Sequence, residues 1–202
     1  MLDLSRDVEV TGFAPLVVKA KETLAGLDRA LLRCLRDRET RLHVLSPLER
    51  FSDIDAAYTF RGDDSCLLGL FDRSKNHIIL RRVDGLTQAH ELFHLVDDLL
   101  GEPGRFRSQD DPALNRAYET HKKDGLFLSA YSAYSVIEFG AELARSLMGF
   151  SGSATINGKT DADRIRRIDP EAVASIQAMI DELRSRYGES AAPPSCMSTA
   201  TP

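Results

Sequence analysis

The chain has 202 residues, 43 % hydrophobic and 28 % charged, with 31 acidic against 26 basic side chains and a formal charge of -5. That is enough chain for one domain with one principal core, and the acidic balance argues against a polyanionic partner such as nucleic acid. Local basic clusters such as Arg164, Arg166 and Arg167 lack interleaved aromatics and read as a solvated face.

No apolar run reaches the ~18 residues of a membrane span. The opening MLDLSRDVEVTG carries Asp3, Asp7 and Glu9 where a secretory leader would be basic and then apolar. The expectation is therefore a cytoplasmic protein, or one exported or delivered without a cleaved signal peptide, with no membrane partner. Cys34, Cys66 and Cys196 are too few and too far apart for a disulfide framework or a thiolate metal site.

In chain order, Leu16, Val17, Ala20, Leu24, Leu27, Leu31 and Leu35 recur at helical spacing and predict one amphipathic helix over 14–37. Leu42–Leu45 reads as a strand stopped by Ser46-Pro47. Cys66–Phe71 and Ile78–Val83 flank the polar turn 72–76 as a hairpin, and Gly85 separates the hairpin from the next helix. That helix is capped by Thr87 and runs to Leu100, with Gly101 as its stop. Residues 101–115 look like loop, and Asn115–Lys123 forms a weakly patterned helix. Ser135–Met148 is a further helix, 150–160 a Gly/Ser loop, and Asp169-Pro170 opens a last helix to Tyr187. Several helices and a small sheet without regular alternation predict an α+β domain over 1–188, with 189–202 a disordered tail.

The chemistry concentrates in His90-Glu91-Leu92-Phe93-His94. Residues four apart on a helix share a face, so both imidazoles can reach one ion. Glu91 projects from the flank, where a carboxylate can hold and deprotonate water instead of ligating the metal. Zn2+ suits such a donor set. Chance alone yields H-E-x-x-H in roughly one such chain in a hundred, so the motif needs company. Apolar Leu92, Phe93, Leu95, Val96, Leu99 and Leu100 would embed the segment in a core, where unliganded polar groups are costly. Asp97 can support an imidazole, or simply belong to the acidic end of an exposed face. Glu138 and Glu142, four apart, offer a third ligand and its support. Equally, Ser135-Val136-Ile137-Glu138 matches a capping box, in which Glu138 bonds back to the helix start.

HELFHLVDDLLG followed by YSAYSVIEFGAELARSLM resembles the catalytic domain of anthrax lethal factor and its relatives, including the secreted Pro-Pro endopeptidases. The resemblance covers roughly residues 66–148. It implies a zincin-like fold, a small sheet packed on an active-site helix, with a further helix carrying the third ligand. It implies His90, His94 and Glu138 as zinc ligands, Glu91 as general base and Glu142 as support. Tyr131, seven residues before Glu138, falls on the family's catalytic tyrosine, with Tyr134 the second choice. Phe93 departs from the glycine common there in the family. The function implied is a zinc endopeptidase acting on an extended peptide laid along the Ile78–Val83 strand. A non-catalytic zinc-stabilised binding module and a metal-free interaction protein are the competing readings.

Overall fold

The computed structural model describes residues 7–59, 67–125, 127, 129–147, 155–156, 159–160 and 169–188. Cys66, Cys196, the Arg164–Arg167 cluster and the tail from Glu189 lie outside the described residues.

The architecture is mixed α+β. Strand β1 (Val10–Gly12) leads into helix α1 (Ala14–Ala25) and α2 (Arg29–Asp37), followed by β2 (Arg41–Val44) and the single turn α3 (Phe51–Ile54). The hairpin β3 (Gly69–Asp72) and β4 (His77–Leu80) precedes α4 (Gly85–Leu100). Then come α5 (Arg107–Asp110), α6 (Pro112–Asp124), α7 (Val136–Leu147), the short pair β5 (Thr155–Ile156) and β6 (Lys159–Thr160), and α8 (Pro170–Tyr187). The main sheet has order β1-β2-β4-β3, with β1, β2 and β4 parallel and β3 antiparallel to β4. β4 is therefore interior, paired on both sides, and β1 and β3 are the edge strands among the described residues. A peptide cannot add along Ile78–Val83 as the sequence suggested; the edge beside α4 belongs to β3.

Several boundaries differ from the sequence reading, each for a local reason. The single helix over 14–37 is two, because Gly26 ends α1 and Asp28 caps α2 by accepting the Ala30 N–H at 2.8 Å. Asp84, rather than Thr87, caps α4 by accepting the Thr87 N–H at 2.8 Å, which makes Gly85 the first helical residue. Asp111 caps α6, Pro112 sits at its first position and Gly125 ends it in the left-handed region, so the helix is longer than Asn115–Lys123. The stretch 150–160, expected as loop, contains the β5–β6 pairing. β1, α3 and α5 are too short for periodicity to register.

α4 is the buried axis of the molecule. From Thr87 to Asp97 every residue is buried, so the helix is enclosed on all sides, by β3, β4, α5, α7 and α8. Its apolar residues join Leu42, Val44, Ile78 and Leu80 of the sheet, Phe139 and Leu143 of α7 and Ile176 of α8 in one core. Phe93 is fully buried in that core, and the α7 backbone leaves it room: a Cβ added at Gly140 would lie 3.6 Å from the ring's Cε1. The Phe93 ring thus packs against α7 as core.

Among the described residues no helix is long and apolar enough to cross a membrane.

Candidate metal centre

Two helices build the centre. α4 carries His90 and His94 one turn apart, both less than a tenth exposed. α7 starts at the Ser135 cap, whose Oγ accepts the Glu138 N–H at 3.2 Å. The Glu138 backbone thus serves the cap while its carboxylate turns to α4: Glu138 Oε2 lies 2.9 Å from His90 Nε2 and 3.6 Å from His94 Nε2. The two Nε2 atoms are 3.2 Å apart. Ligand bonds of about 2.0–2.1 Å at tetrahedral angles put donor atoms about 3.3–3.4 Å apart, and the three observed separations bracket that value. The residues therefore fit a tetrahedral ion, and the group His90, His94 and Glu138 could hold a metal.

The charges are arranged to match. Burial would push the His90 imidazole down, but its hydrogen bonds to Glu138 and Glu142 outweigh burial and lift it to about 9. Burial likewise works against an ionised Glu138, and the two imidazoles overcome it, holding the carboxyl well below the usual range. Glu142 Oε1 accepts from His90 Nδ1 at 3.0 Å while Oε2 pairs with Arg145 at 2.8 Å. These contacts keep Glu142 ionised although burial opposes it. Glu142 thus orients a ligand imidazole from behind.

Asp97 does something other than expected. Its carboxylate accepts the Ser108 N–H at 2.7 Å and the Ser108 hydroxyl at 2.6 Å, tying α5 to α4. Burial pushes the carboxyl up to about 6, against the pull of the Ser108 bonds. His94 Nδ1 has no hydrogen-bond partner among the described residues, so Asp97 supports the helix packing and not the imidazole.

Glu91 is 6 % exposed and lies against strand β3. Arg81 N–H bonds to Leu68 O at 2.9 Å, which sets the alternation of the antiparallel ladder and turns the backbone groups of Gly69 and Phe71 towards the open edge. The Phe71 N–H accordingly reaches the Glu91 carboxylate. Gly69 leaves room for the carboxylate: a Cβ there would lie 2.5 Å from Glu91 Oε1 and 2.6 Å from Cγ, so a side chain would push Glu91 aside. Burial raises the Glu91 carboxyl above its ordinary range, with the histidine charges and the Phe71 amide pulling the other way. Neither Gly69 nor the Phe71 amide stands out in the sequence; a lone glycine inside a strand was the available signal.

Tyr131, in a short 3-10 turn over 131–133, sets its ring edge-on to His90 with centroids 6.0 Å apart. Tyr134 stacks edge-on against Tyr131 at 5.8 Å but is 76 % exposed. Phe106 closes the opposite flank, 6.2 Å from His94.

The remaining histidines lie elsewhere. His121 is buried against Phe127 and Phe139 and pairs with Asp169, which consequently makes no side-chain cap on α8. His43 and His77 meet edge-on across β2 and β4 at 6.4 Å; burial, Arg41 and His43 push His77 down to about 4.

No protein-family profile and no curated protein matches this chain.

Proposed function

We propose that the chain is a zinc-dependent endopeptidase. The observation that carries the reading is the convergence of His90 Nε2, His94 Nε2 and Glu138 Oε2 at tetrahedral spacing, with the Glu91 carboxylate fixed alongside. The resemblance of the two motif segments to the lethal factor type of metallopeptidase supports the same assignment.

His90, His94 and Glu138 would hold the ion, which would supply Lewis-acid polarisation of the scissile carbonyl and acidify water. Glu91 takes the proton from the attacking water and returns it to the leaving amine, with the Phe71 amide and the bare Cα of Gly69 fixing its carboxylate. Burial raises its affinity for a proton, as a base working near neutrality needs. Tyr131, edge-on to His90, is the side chain assigned to donate a hydrogen bond to the developing oxyanion. Glu142 and Arg145 hold His90 in its ligand tautomer. The substrate is a peptide in extended form, added to the open edge of β3.

The test is digestion of a diverse peptide library by zinc-loaded protein, read by mass spectrometry beside Glu91→Ala. Cleavage that disappears in the variant, at unchanged zinc content, supports the reading. Stoichiometric zinc without cleavage by either protein would favour a zinc-stabilised binding module, and failure to take up zinc would remove the metal centre itself.

A further inference from the structure

Beside the metal centre, a cavity of about 60 Å3 opens between the start of β3 and the two metal-bearing helices. Leu68 and Gly69 form one wall, Thr87 and His90 of α4 another, and Tyr131 and Arg145 close it. At ~30 Å3 per water molecule it holds about two waters, which matches a side chain of two or three heavy atoms. Its charge is already satisfied. Among the described residues Arg145 is the one arginine or lysine in the lining, and it is committed to Glu142 at 2.8 Å. Glu91 and Glu142 also line the cavity, so an acidic guest would face two carboxylates across one engaged guanidinium.

The direction of a bound peptide follows from the sheet. β3 is an edge strand, and antiparallel pairing is the more stable mode of addition. A strand antiparallel to β3 runs from the Asp72 end towards Leu68. The cavity lies at the Leu68 end, towards the C-terminal end of such a peptide, where a side chain downstream of the bond being cut would fall.

Resting on the peptidase reading above, we propose that this cavity selects a small, uncharged aliphatic side chain, of alanine to valine size, on the residue following the scissile bond, with Leu68 setting the size limit. Leu68 is suited to that part because it is 37 % exposed, at the mouth, and outside the main core.

Binding tests this without turnover. Zinc-loaded protein is titrated calorimetrically with two series of peptide hydroxamates, the chelating group placed before the varied residue in one series and after it in the other. The varied residue is alanine, valine, leucine, phenylalanine or aspartate. In the first series valine should bind tighter than phenylalanine and aspartate by about 10-fold or more, the scale on which an apolar pocket discriminates. Leu68→Ala, a change at an exposed position, should bring leucine level with valine. Equal affinities across the first series, or a Leu68→Ala variant with the wild-type profile, would overturn the pocket assignment and leave the peptidase reading standing. Size selection confined to the second series would overturn the direction. A zinc-loaded protein that binds no hydroxamate would overturn the open metal site, and this inference with it.

Discussion

With its imidazole lifted by two carboxylates, His90 should carry a proton near pH 7 in the metal-free protein, which a bound zinc ion would have to displace. The imidazole stands at about 9, because hydrogen bonds to Glu138 and Glu142 outweigh the burial that would lower it. Zinc needs the lone pair which that proton occupies. At pH 7, two units below, close to one proton should leave for each zinc bound, and the competition should weaken apparent affinity about 100-fold, or about 3 kcal/mol. Log affinity should climb by about one per pH unit from 7 to 9 and then level. The sign is opposite for folding without metal: the raised His90 stabilises the fold fully below its unfolded value of 6.5, and that contribution is lost as pH rises through about 9. Competition against a chromogenic chelator across this window gives the slope, and calorimetry in buffers of different ionisation enthalpy counts the protons. Glu142→Gln keeps the shape and removes one carboxylate charge, so the levelling-off should move to lower pH. A flat affinity profile with no proton released would mean that His90 is neutral without metal, and the reasoning from its two carboxylate partners would fail.

Three substitutions separate the roles of neighbouring groups, and a fourth isolates the core behind them. Glu142→Ala, compared above pH 9 where proton competition has ended, should weaken zinc binding by about 10–100-fold through the loss of its bond to His90. Asp97→Ala should instead leave zinc affinity unchanged and cost about 2–4 kcal/mol of stability, since it strands the buried Ser108 donors; chelator competition and denaturant melts on both variants decide between the two carboxylates. Gly69→Ala forces a Cβ to within 2.5 Å of Glu91 Oε1. Displacing the base by about 1 Å should cut peptide cleavage by about 100-fold at unchanged zinc content. Phe93→Ala empties a fully buried site and should cost about 3–5 kcal/mol while the metal still binds one per chain; loss of zinc at a temperature where the variant is folded would instead tie Phe93 to the centre.

The three side chains that could hold a metal were legible because they lie on regular helices. His90 and His94 are one turn apart on α4, and Glu138 is at a fixed offset from the Ser135 cap. Sequence could not decide between capping and ligation for Glu138, because that depends on where α7 lies against α4. The same limit misassigned Asp97: helical phase puts it on the right face, but α5, a single turn that periodicity cannot see, brings Ser108 to it first. Strand order was equally hidden. The hairpin of β3 and β4 was readable from its turn, yet the three-residue β1 and the parallel insertion of β4 against β2 decide which strands are the edges.

The way the centre treats its buried carboxylates itself points to chemistry. Glu142 is stabilised in its charged form by His90 and Arg145, and Glu138 by both imidazoles. Asp97 is pushed up by burial but has two donors from Ser108. Glu91 receives the Phe71 amide on its carboxylate and is nonetheless raised, because burial outweighs that bond and the histidine charges. For stability alone such a group is a poor choice, since an apolar side chain of similar volume commonly does as well or better in a buried site. The fold even surrenders the Cβ of residue 69 to make room for it. A buried carboxylate kept beside His90, His94 and Glu138 is what the proposed general base would need.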